Sequence, residues 1–376
     1  NKTLAKKSTT LIFIDEIQEV PKALNILRYF YELAPEISVI AAGSMLETLF
    51  DKNISFPIGR VEYKVIRPVS FTEFLSAIDE SAALEQLTQV PVATFAQSKL
   101  LSLFHTYALI GGMPEIVQHY AKHKDLVTLG PIYDSLITGY MGDVEKYAKS
   151  NAQILHLRHC IQSSFAQAGK RIKFEGFGNS AYKSREMGES LRTLEKALLM
   201  QLVYPSTTAT LPMVPDIKKS PRLQILDSGL LNYFVGIQKE IIGADDLNRI
   251  YQGTLIEHLI GQELLAFQYN PLSALHFWVR KKKESTAEVD YLFQYDGMII
   301  PIEVKSGATG TLKSLHSYMD IAPHNFAIRF YAGPLNISNA ITQKGKHYQI
   351  LNLPYYLGSQ IEQYIAWFIQ IKKVGL

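Results

Sequence analysis

The stretch LIFIDEIQ at residues 11–18 constrains the fold more than any other part of the chain. Leu11 to Ile14 are consecutively apolar. The run is too short for a helix and does not alternate, so it reads as a strand buried on both faces. Strands of that kind belong to parallel sheets with helices packed against them, which makes the first segment α/β. Asp15 and Glu16 close the strand, at the carboxyl edge where open parallel sheets bind ligands. A helix follows, with Ala23, Leu24, Leu27 and Phe30 in its apolar positions and Pro21 at its start. A second buried strand, SVIAA at 38–42, leads into Gly43-Ser44, and Val61 to Ile66 read as a third strand.

Adjacent carboxylates at such an edge suit a nucleotide site. The first holds the Mg²⁺ that accompanies ATP and the second polarises the attacking water. Asp15 therefore reads as the metal and cofactor ligand and Glu16 as the catalytic carboxylate. Ser44, at the end of the neighbouring strand, is placed to bond the γ-phosphate or the water. Arg60 would cancel transition-state charge if a neighbouring subunit or a closing domain brought it in, which points to a homo-oligomer. The plainer alternative makes Asp15-Glu16 the N-cap of the next helix, favoured by its dipole. A phosphate loop, G-x-x-x-x-G-K-[ST], is expected roughly 50–100 residues before such a strand. No match occurs in the 376 residues. Either the ATPase is degenerate or the chain starts partway through its first domain, and the expectation is the second.

Hydrophobic residues make up 47% of the chain, enough for packed cores and too much for disorder. The net charge of +3 neither demands nor excludes nucleic acid, so any such claim rests on local patches. The single cysteine, Cys160, excludes an internal disulfide and fits a reducing, cytoplasmic setting. No apolar run approaches a membrane span. Residues 1–75 read as a partial ATPase core and 76–150 as a helical lid, broken at Gly111-Gly112-Met113-Pro114. Residues 151–215 read as a winged helix-turn-helix, with Leu202 to Leu211 as a hairpin. There Lys183, Arg185, Arg192 and Lys196 flank an apolar helix face and suit DNA phosphates, with Lys281-Lys282-Lys283 as a second patch. A solvated helix face and a solvated loop are the plain alternatives.

Residues 216–376 carry a second constellation. Two strands, 288–295 and 298–304, flank Asp296-Gly297, a strong hairpin signal. That hairpin brings Asp290 towards Glu303. Glu303 and Lys305, one residue apart, share a strand face. Acids beside a lysine make a metal-and-water site: Asp290 and Glu303, with Glu257 from the preceding helix, would hold Mg²⁺, and Lys305 would orient or activate the nucleophile. The alternative is a salt-bridged Glu303–Lys305 pair at a strand end.

Taken together, LIFIDEIQEVPKAL, AAGSMLETLF, FPIGRVEYKVIRPVSFTEFL and GGMPEIV resemble the bacterial and archaeal AAA-superfamily ATPases of the uncharacterised two-part type. GTLIEHLIGQELL, LHFWVR and AEVDYLF…IPIEVKSG resemble their C-terminal domain, and Asp290…Glu303-Val-Lys305 with Glu257 resembles the PD-(D/E)XK nuclease pattern. The resemblance implies an α/β P-loop module with a helical lid, a winged helix and a restriction-endonuclease-like domain. It implies an ATP-driven switch acting on DNA, with a Mg²⁺-dependent nuclease regulated by the ATPase part, or a non-catalytic DNA- or protein-binding adaptor, as alternatives.

Overall fold

The computed structural model of the chain describes residues 10–43, 59–143, 146, 148–237, 254–281, 287–305 and 312–374. Strand β1 (Leu11–Ile14) runs parallel to β2 (Ser38–Ala41), with helix α1 (Leu24–Leu33) as the crossover between them. This is the α/β start that the apolar runs predict. Ser44, Lys282 and Lys283 lie outside the described residues. Val61 to Ile66 have no strand partner. Instead Val65 N–H bonds to the Tyr269 carbonyl at 2.8 Å, and Ile66 is largely exposed.

Helices α2 (Phe71–Ala77), α3 (Ser81–Thr88), α4 (Gln97–Ile110), α5 (Pro114–His123) and α6 (Gly130–Asp143) form the next segment. A capping box fixes the start of α2: Ser70 Oγ accepts from Glu73 N–H, and the Glu73 carboxylate accepts from Ser70 N–H. Helices α7 (Asn151–Ala166) and α8 (Ser184–Lys196) pack together, with Leu157, Cys160, Met187, Leu191 and Leu194 buried. The hairpin expected over 202–211 is not formed. Strand β3 (Met200–Val203) pairs antiparallel with β5 (Arg222–Ile225), and β4 (Pro205–Ser206) pairs parallel with β6 (Phe277–Val279). Pro205 and Pro212 lack the N–H groups that a hairpin ladder there would need.

Helices α9 (Ser228–Phe234) and α10 (Thr254–Ala266) lead into the C-terminal segment. After β7 (Glu288–Val289), a mixed sheet has the order β11-β12-β10-β9-β8. Its strands are β8 (Tyr291–Tyr295), β9 (Met298–Val304), β10 (Phe326–Tyr331), β11 (Asn336–Ile341) and β12 (His347–Pro354). The expected hairpin is present, with Tyr295 opposite Met298 and positive φ at both Asp296 (44°) and Gly297 (75°). A type I′ turn requires that sign at both positions. Gly297→Ala is expected to cost about 1 kcal/mol, because an L-residue pays roughly that much in the left-handed region. A lowered thermal midpoint would register it.

The sheet is covered on both sides. Ile300, Ile302, Ile328, Phe330 and Leu351 face a core cluster that extends from Phe71 to Phe368 and includes α10 and α12 (Ile361–Val374). Ile299, Ala327, Tyr348 and Ile350 face a second cluster with Trp278 and α11 (Lys313–Met319). Ile17 and Leu24 form only a small separate cluster. Among the described residues no helix is long and apolar enough to cross a membrane.

The break at Gly111-Gly112 is more than a turn. Asp227, fully buried, accepts hydrogen bonds from Gly112 N–H at 2.6 Å and Leu230 N–H at 2.9 Å. Its side chain caps α9 and at the same time holds the end of α4. Burial pushes its carboxyl up to about 6, against these hydrogen bonds.

Candidate functional sites

At the carboxyl edge of β1, Glu16 adopts a left-handed backbone (φ 48°, ψ 44°). For a residue with a Cβ this conformation costs about 1–3 kcal/mol and persists only where surrounding structure imposes it. Here the imposing bonds are Ile17 N–H to the Ala42 carbonyl (3.0 Å) and Ala42 N–H to the Ile14 carbonyl (2.8 Å), which lock the turn to the end of β2. The side chain of Glu16 caps no helix. Asp15 Oδ1 accepts from the Glu16 N–H at 3.0 Å, and Gln18 Nε2 donates to Glu16 Oε2. Both carboxylates are exposed, and Glu16 stands at the N-cap position of the short 3-10 turn Ile17–Glu19 without a side-chain capping bond. Mg²⁺ keeps several waters and takes only one or two protein carboxylates when phosphates supply the rest. Asp15 fits that modest role.

Arg60 lies over α1, where its Nε and that of Arg28 both donate to Glu32 Oε1 at 2.8 Å. Arg28 first and Arg60 next lower the Glu32 pKa. Both strands of the pair are only half-covered. Leu11 and Phe13 are 58% and 60% exposed, far from the burial that parallel strands normally have.

In the C-terminal segment the structure brings Glu257, Asp290, Glu303 and Lys305 into one neighbourhood, as the hairpin predicts. It adds a residue that the sequence did not single out, Arg222 of β5. Arg222 Nε donates to Glu288 Oε1 at 2.6 Å, and its Nη2 pairs with the same carboxylate. Nη2 lies 3.4 Å from Asp290 Oδ1, and Nη1 lies 3.7 Å from Glu257 Oε2. Lys305 Nζ bonds to Glu303 Oε1, the ion pair of the plainer reading. Asp290 Oδ2 accepts from Val304 N–H at 2.7 Å.

The electrostatics follow from this layout. Burial, then the Asp290 charge, pushes the Glu257 and Glu303 carboxyls up. Burial opposes the charge on Arg222, but Asp290, Glu288 and Glu257 outweigh it and hold its pKa above the ordinary value. Among the described residues, no three carboxylate, imidazole or thiolate groups converge so as to hold a metal ion. The acids around Arg222 face protein cations instead: Glu288, Asp290 and Glu257 face Arg222, and Glu303 pairs with Lys305.

Residues 1–75 match the family model of an AAA domain. Residues 101–241 and 252–356 match two domains of unknown function, DUF8612 and DUF4143. No curated protein and no solved structure matches the chain. The AAA match marks the first segment as ATPase-like and implies ATP as its ligand. It covers the residues that place Asp15 and Glu16 at a sheet edge.

Proposed function

We propose that the chain is part of an ATP-hydrolysing molecular switch that acts on DNA. Asp15 contributes to Mg²⁺·ATP binding and Glu16 activates the attacking water. The observation that carries this reading is the left-handed Glu16, held by backbone bonds to the end of β2, with Asp15 and Glu16 both exposed at the sheet edge. Ser44 would report on the γ-phosphate. Arg60 would act on a neighbouring protomer's nucleotide; an exposed ion pair is weak, so its release from Glu32 costs little. DNA contact rests on the basic residues of α8 and on the resemblance of the Asp290…Glu303-Val-Lys305 pattern to the PD-(D/E)XK nucleases. On α8, however, Arg192 is engaged in stacking on Phe174 at 5.5 Å.

The test uses a chain that includes a phosphate loop upstream of residue 1. It is expected to hydrolyse ATP, and Glu16→Gln is expected to lower kcat at least about 100-fold while nucleotide binding is retained. Steady-state hydrolysis and fluorescent-nucleotide titration measure the two separately. Equal rates for the two proteins would overturn the assignment of Glu16.

A further inference from the structure

Strand β5 begins at Arg222, and this side chain crosses from the β3–β5 pair into the carboxylates beside the C-terminal sheet. One guanidinium there reaches Glu288, Asp290 and Glu257, and Nη1 also lies 3.3 Å from the Asp290 main-chain oxygen. Its flat face lies on the Phe277 ring, 4.8 Å from the centroid, and its side chain is only 13% exposed. Arg171 stands behind it, 3.6 Å from Glu288 Oε2.

A planar guanidinium presents several donors in fixed directions and suits carboxylates that a small octahedral ion would have to gather at about 2.1 Å. Most of the carboxylate oxygens here already face a donor: Glu288, Asp290 and Glu257 face Arg222, the second Asp290 oxygen accepts from Val304 N–H, and Glu303 Oε1 pairs with Lys305, while Glu303 Oε2 is buried with no partner among the described residues. A divalent ion entering among them would sit against Arg222 and Lys305, in a setting where like charges are poorly screened. We propose that Arg222 is the resident cation of this carboxylate cluster, in the place a metal would take, and that the cluster is a charge-paired clamp joining β5 to the C-terminal sheet. A nuclease-like arrangement of Asp290, Glu303 and Lys305 is thereby retained as a joint closed to divalent metal.

Mn²⁺ titration of the whole chain, followed by the electron-paramagnetic signal of the free ion, tests this. Wild type and Asp290→Asn are expected to bind the same amount of Mn²⁺, because Asp290 holds none. Arg222→Gln is expected to gain one Mn²⁺ site at least tenfold tighter than anything in wild type, and adding Asp290→Asn is expected to remove it. Arg222→Lys, which keeps a cation in place, is expected to behave as wild type. A wild-type site that Asp290→Asn abolishes overturns the proposal, as does a folded Arg222→Gln protein that gains no site. If Arg222→Gln does not fold, the comparison of wild type with Asp290→Asn decides alone.

Discussion

Gly229→Ala is expected to destabilise the protein by about 3–5 kcal/mol, although on an ordinary helix the same change would help. Glycine is a poorer helix former than alanine, so propensity alone predicts a small gain in the first turn of α9. The packing reverses the sign. A Cβ on Gly229 would lie 2.0 Å from the Ile110 carbonyl oxygen and 2.4 Å from its carbon. These are backbone atoms at the end of α4, and no rotamer change can clear them. The helices must separate, which strains Gly112 N–H on Asp227 (2.6 Å) and Asn232 Nδ2 on the Ala108 carbonyl (2.9 Å). Overpacking costs about 1–3 kcal/mol, and each buried polar group left without its partner adds about 1–3 more. Against a total stability of roughly 5–15 kcal/mol this is a large share. Urea unfolding should show a lower midpoint; an unchanged or higher one would mean that α4 and α9 are not pressed together as described.

That joint explains why some of the molecule was legible in the sequence and some was not. Local patterns carried far. The apolar runs at 11–14 and 38–42, the Asp296-Gly297 turn and the spacing of Leu24, Leu27 and Phe30 each dictate their own element, because strand burial, turn geometry and helical spacing depend on near neighbours. What depends on distant partners was not legible. Gly111-Gly112 reads as a turn, since nothing nearby indicates that Asp227 will accept from its backbone across 115 residues. Arg222 gave no signal either. It is a lone cation after a proline, and its acids Glu288 and Asp290 stand 66 and 68 residues away. The pattern of acids and lysine was correct as proximity but silent on which cation they hold. Strand β11 escaped notice because NISNAI is polar and half-exposed, paired only along β12. Val61 to Ile66 failed in the opposite way: β-branched residues gave strand character with no neighbouring strand to pair.

Glu263→Gln is expected to stabilise the protein by about 3 kcal/mol at pH 8 and by almost nothing at pH 4.5. Glu263 lies fully buried on α10, where its Oε1 accepts from Tyr107 O–H at 2.7 Å and Phe71 N–H at 3.1 Å. Burial pushes its carboxyl up from 4.5 to about 7, more than these hydrogen bonds pull it down. The folded state therefore holds a proton that the unfolded chain releases between about pH 4.5 and 7. Stability from this group is fully present below pH 4.5 and is lost as pH rises through 7. A shift of roughly 2.5 units at 1.36 kcal/mol per unit gives the size of the loss. Glutamine keeps an acceptor for Tyr107 and Phe71 and never ionises, so it removes the loss without emptying the site. Buried His258 on the same helix works in the other direction. Burial lowers it to about 3, so acid weakens the fold as the unfolded chain takes up its proton below about pH 6.5. That effect is common to wild type and variant and cancels in their difference. Denaturant titrations of both proteins at pH 4.5, 6 and 8 should therefore give a stability gap that opens steadily with pH. A gap of the same size at all three values would mean that the carboxyl at 263 titrates in the folded protein as it does in the unfolded chain, with the bonds from Tyr107 and Phe71 N–H balancing its burial.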